Sequence, residues 1–144
     1  MRKINKIIVH CTATQQSISI QSIINYWKIT LKWESMGYHY IVEANGNTVK
    51  LTDLEHIANG AAGYNKNSIH IAYVGGIDYK RNPIDNRTLE QKNALRILIM
   101  QIASKFPDAD ILGHYQLPNV KKACPCFDAA KEYCIYKKNY KASD

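Results

Sequence analysis

At 144 residues, the chain is long enough for one domain to bury a core without help from disulfides. Its 46% hydrophobic and 22% charged residues exclude a disordered chain, and no segment is apolar for long enough to span a membrane. The formal net charge of +7 is compatible with plain solubility or with attraction to a polyanion, either nucleic acid or a cell envelope. Part of that excess falls late in the chain, at Lys131, Lys137, Lys138 and Lys141.

The start, Met1 to Lys6, is basic, but the apolar run behind it is only Ile7-Ile8-Val9. That is too short for the core of a signal peptide, so the expected product is made in the cytoplasm without one. The four cysteines (Cys11, Cys124, Cys126 and Cys134) fit a reducing compartment and show no disulfide framework. Cys124-Pro125-Cys126 is not C-x-x-C, which disfavours a redox motif or a zinc ribbon.

Taken in order, Ile7 to Cys11 reads as a buried strand. Ile20, Ile23, Ile24, Trp27 and Leu31 share one helical face, with Ser17 or Ser19 as the cap. Tyr38 to Ala44 reads as a strand, and Asn45-Gly46 as a hairpin turn with both residues at positive φ. Asn47 to Leu51 returns as the partner strand. Asn59 to Lys66 is a Gly/Ala/Asn loop, and Ile69 to Val74 is a strand stopped by Gly75-Gly76. Thr88 to Gln91 is a capping box opening a helix whose buried face is Leu95, Leu98, Ile99, Ile102 and Phe106, ended by Pro107. Ala109 to Leu112 is a last strand, and Asp128 caps a closing helix to about Lys137. The order β-α-β-β-β-α-β-α predicts an α/β fold: one domain over residues 1–144, with a central mixed sheet flanked by helices.

Five histidines are present: His10, His39, His56, His70 and His114. Two stand at strand ends, where α/β proteins build sites: His10 closes the first strand and His114 follows Gly113 after the last. Cys124 comes ten residues after His114 on a loop stiffened by Pro118 and Pro125. Two imidazoles and a thiolate suit one Zn²⁺ ion, and three protein ligands leave a fourth position for water, whose pKa the metal lowers to about 7. No H-E-x-x-H, G-x-S-x-G or phosphate-binding loop is present, and Gly60 to Gly63 is not G-x-G-x-x-G. A nucleophilic pair of Cys11 or Cys124 with a histidine stays open at this point, although it leaves His10 and His114 without a shared purpose.

Six stretches together resemble the N-acetylmuramoyl-L-alanine amidase family, which includes phage endolysins and peptidoglycan recognition proteins. They are Ile7 to Thr14, Gly37 to Val42, Gly63 to Ile69, Val74 to Asp78, Gly113-His114 and Lys122 to Pro125, in family order from about residue 6 to about residue 135. The resemblance implies that His10, His114 and Cys124 hold the zinc and that Tyr38 and Lys122 act beside it. It also implies cleavage between N-acetylmuramic acid and the L-alanine of the stem peptide. Tyr64, Asn65 and Asn67 are expected in the substrate groove, while His39, His56 and His70 are assigned to structure.

The chain departs from the family at Gly60, where many members carry histidine three residues before Gly-Tyr-Asn. A substrate contact or a bond behind a ligand is expected to be lost there. Cys126 lies close enough in sequence to compete with Cys124, but binding through it would require the backbone to shift. The expected partner is peptidoglycan or a muropeptide, met by a monomer after release from, or delivery out of, the cytoplasm, with no membrane insertion and no nucleic acid. Two other readings compete: a peptidoglycan-binding module without catalysis, and a basic protein that binds nucleic acid or a polymerase. Intact ligands oppose the first, and the lack of a recognition helix or RNP-like strand opposes the second.

Overall fold

A computed structural model describes residues 1–138, 140 and 141. The predicted 1–144 span therefore includes Asn139 and Ala142 to Asp144, which lie outside the described residues. The elements follow the predicted order: β1 (Lys6–Cys11), α1 (Ile20–Asn25), β2 (Tyr40–Val42), β3 (Thr48–Lys50), β4 (Ser68–Tyr73), α2 (Leu89–Lys105), β5 (Asp110–Gly113) and α3 (Ala129–Glu132). They form one mixed sheet of order β3-β2-β4-β1-β5, with β1 parallel to both β4 and β5. β2 is parallel to β4 and antiparallel to β3.

The two central strands explain the unbroken apolar runs in the sequence. All six residues of β4 and five of the six in β1 are buried, because parallel strands covered on both faces need apolar side chains on both. On one face Ile7, Val9, Ile69, Ile71 and Tyr73 pack against Leu95, Leu98, Ile99 and Ile102 of α2. On the other, Ile41 and Ala72 meet Ile23 and Trp27. That second face also carries His10 and His70, by the two-residue alternation of strands.

Three local expectations change. The helix capped by Ser19 gives way at Tyr26 to a π turn running to Thr30, where Leu31 N–H bonds Tyr26 O five residues back. The wider turn rotates the face, so Ile23 and Trp27 are buried but Leu31 is exposed. The hairpin is a three-residue loop: Glu43 N–H reaches Asn47 O, Gly46 N–H reaches Glu43 O, and only Gly46 has positive φ (87°). Asn45 therefore sits in a type I turn with glycine at the bulge, and the strand shortens to Tyr40–Val42. The closing helix is a single α turn from the Asp128 cap, followed by a 3₁₀ turn, Cys134–Tyr136.

Candidate active site at the ends of the parallel strands

His10 lies near the carboxyl end of β1, level with Ala72 of β4, and His114 opens a 3₁₀ turn directly after β5. Both are carried there by the parallel pairing of β1 with β5, which brings two strand ends together although the residues are far apart in sequence. Cys124 arrives on a loop that several bonds hold over these ends. Tyr115 N–H donates to Cys124 O, Tyr73 Oη–H donates to Pro125 O at 2.7 Å, and Gln116 Oε1 accepts from both Gly113 N–H and Ala130 N–H. Further out, Arg87 bonds Asp85 and Glu132 while stacking 3.4 Å above the Phe127 ring, which pins the segment just past Cys124 to α3.

The result is a compact donor set. One ligand atom each from His10, His114 and Cys124 lies within 4.8 Å of the others, the only such group among the described residues. Cys124 Sγ is 3.7 Å from His10 Nδ1. Tetrahedral zinc–nitrogen and zinc–sulfur bonds imply a nitrogen–sulfur separation of about 3.6 Å, so the residues fit that metal. Burial, and then the neighbouring His70, His114 and Lys122, hold the His10 pKa well below its usual value. His114 is pushed down to about 4, by burial first and then by the Lys122 ammonium. Both rings are thus neutral at pH 7, with a lone pair free to bind a metal.

Around this group opens a cleft of about 360 Å³, lined by Tyr38, Trp27, Trp33 and Lys122 together with His10, His114 and Cys124. Tyr38 packs 5.1 Å from the His10 ring and donates to Cys11 O at 3.3 Å. Burial first, then the Cys124 and Cys11 thiols, raises its pKa well above the usual phenol value, so it remains a proton donor. Lys122 is exposed at the rim and is the one Lys or Arg among the described residues lining the cleft.

The other expected groove residues do not line this cleft. Tyr64 donates to Pro118 O and lies beneath Lys6, while Asn67 donates to Lys3 O. Asn65 borders an outer cleft with His114 and Lys122, but its amide oxygen turns inward to Ala61 N–H and His70. Cys126 faces away, its Sγ 3.5 Å from Gly76 O, with burial pushing its pKa up to about 11.

His39 and His56 do not line the cleft. The His39 Nε2–H donates to His56 O and its Nδ1 accepts from His70 N–H. His70, assigned to structure by default, bonds His10 directly at 2.9 Å. Sequence reasoning passed over that contact, and over Trp27 and Trp33 as cleft walls. The signal for His70 is its alternation with Ala72 on a strand beside β1, and it becomes readable only once the β1–β4 pairing is known.

The family model described as N-acetylmuramoyl-L-alanine amidase matches residues 1–127. The endolysin of Klebsiella phage KP32 is 34% identical over 125 residues, covering 86% of this chain and 82% of that protein. The endolysin of Escherichia phage T7 is 36% identical over 124 residues, covering 85% and 80%. Among solved structures, the Ph2119 endolysin of a Thermus scotoductus bacteriophage superposes with TM-score 0.73 at 26% identity, over 85% of this chain and 77% of that one. The amidase LysC from Clostridium intestinale shares the fold, with TM-score 0.78 at 22% identity over 96% and 87%. With a matching family model over most of its length and relatives above 30% identity, the chain belongs to the N-acetylmuramoyl-L-alanine amidase family.

Proposed function

We propose that this protein is a zinc-dependent amidase that hydrolyses the bond between the lactyl group of N-acetylmuramic acid and the L-alanine of the stem peptide, as a phage or prophage lysis enzyme. The observation that carries this reading is the convergence of His10, His114 and Cys124 at the floor of a cleft also walled by Tyr38 and Lys122. The endolysin relatives support a role in lysis. A zinc ion held by these three residues supplies a Lewis acid for the amide carbonyl and an activated water at neutral pH.

The remaining work falls to the chain. Amide hydrolysis builds negative charge on the former carbonyl oxygen and requires a proton for the departing amine. Lys122 is a cationic donor beside the ligands and stabilises that charge. Tyr38 stays protonated, and its 3.3 Å bond to Cys11 O is long enough to be exchanged for one to the substrate. Trp27 and Trp33, stacked with centroids 6.3 Å apart, offer flat apolar walls suited to the C–H faces of a sugar ring.

Digestion of purified peptidoglycan by zinc-loaded and chelated protein, with mass spectrometry of the products, tests the reading. New free L-alanine amino termini are expected, lost on chelation and restored by zinc. New reducing sugar ends would identify a glycosidase and overturn it.

A further inference from the structure

Behind His10 lies a chain of hydrogen bonds that runs in one direction. Ala61 N–H can only donate, and it donates to Asn65 Oδ1 at 2.8 Å, which identifies that amide atom as the oxygen. The same oxygen lies 2.9 Å from His70 Nε2, so that nitrogen carries a proton. His10 and His70 are both buried, and among the described residues no carboxylate is hydrogen-bonded to either, so each neutral ring carries one proton. His70 Nδ1 is therefore an acceptor, and its partner at 2.9 Å, His10 Nε2, is the donor. This leaves His10 Nδ1 unprotonated, and Nδ1 is the atom that faces Cys124 Sγ.

We propose that His70 is a positioning residue: anchored by Asn65, it fixes His10 as the Nε2–H tautomer and aims its Nδ1 lone pair at the metal site, in a space that Gly60 keeps open. The glycine follows from the geometry. A Cβ at position 60 would lie 2.3 Å from His70 Nδ1 and 2.5 Å from its Cγ, so a side chain there and the His70 ring exclude each other. Where many family members carry a histidine at the position of Gly60, this chain brings an imidazole into the space beside that glycine from strand β4. The departure at Gly60 is then no loss of a bond behind the ligand; His70 supplies it.

The inference rests on the reading of His10 as a zinc ligand, but its decisive test does not require metal or activity. In the chelated protein, long-range ¹H–¹⁵N spectra of the imidazoles are expected to show His10 protonated on Nε2 and His70 also protonated on Nε2. Protonation of His10 on Nδ1 would overturn the proposal. Zinc affinity, measured by competition with a chelator, is expected to weaken by about 10- to 100-fold in His70→Ala, the range found for groups that orient metal ligands.

His70→Asn carries an amide oxygen near the position of the lost Nδ1, and it should bind zinc more tightly than the alanine variant. Equal affinities for the two variants would mean that His70 supplies only packing. Unchanged affinity in His70→Ala would overturn the proposal as well. If the wild-type protein bound no zinc at all, the metal assignment would fall, while the spectra would still decide the role of His70.

Discussion

At the scale of single residues, the proposed function divides the site between groups that would hold a metal and groups that would act beside it. Tyr38 touches the His10 ring and keeps its proton, while Lys122 is a rim cation with room to move. Removing the Tyr38 hydroxyl deletes one donor to a developing oxyanion without touching a ligand. Tyr38→Phe is therefore expected to lower kcat on a soluble muropeptide by about 100-fold, since the loss of one such donor costs roughly 10²–10³ in rate. Zinc content, measured on the same sample, should not change. The place of these two residues at the cleft was legible because each sits in a motif beside a proposed ligand. His70 was not, because nothing in Ser68-Ile69-His70-Ile71 says which strand lies alongside. Asn65 was drawn to the groove by its loop, but the geometry gives its amide oxygen to Ala61 and His70.

At the scale of elements, the strand ends are held in place by polar side chains that bridge layers. Gln91, fully buried in the first turn of α2, closes the capping box through Oε1 to Thr88 N–H. Its Nε2 donates to Val42 O and Val74 O, fastening the helix to the ends of β2 and β4. Gln91→Leu keeps the volume but leaves these two buried carbonyls without this donor and opens the capping box. It should destabilise the fold by about 1–3 kcal/mol in chemical denaturation. The capping box was readable from Thr88 and Gln91 alone, because it is a local motif. The π turn after α1 was not, because apolar spacing at i, i+3 and i+4 cannot show where a helix widens. The hairpin was placed correctly by Asn45-Gly46, but its loop length depended on the pairing of Glu43 with Asn47.

At the scale of the whole molecule, the most consequential feature is a layer of neutral histidines on one face of the sheet. Burial pushes the His39 pKa down to about 4 and that of His70 to about 3, and His114 lies near 4. In the unfolded chain each returns to about 6.5. Between about pH 6.5 and 4 the unfolded state therefore binds more protons, so stability rises with pH and falls as the solution is acidified. Denaturation of the chelated protein at pH 7, 6 and 5 should show progressive loss. His39→Gln, at a residue that does not line the cleft, should flatten that dependence by up to about 1.4 kcal/mol per pH unit. The α/β class, the element order and the three proposed ligands were all legible in the sequence. The strand order that brings His10 and His114 together came only from the fold.

The central claim is that one zinc ion held by His10, His114 and Cys124 is what makes the cleft an amidase. Stepwise addition of zinc to the chelated protein, with amidase rate and bound metal followed together, tests it most directly. The rate should climb in proportion to bound zinc and level off at one equivalent in the wild type, and Cys124→Ser should neither retain a full equivalent nor recover the rate. Full activity without metal, or a Cys124→Ser variant that holds zinc and works like the wild type, would contradict the account.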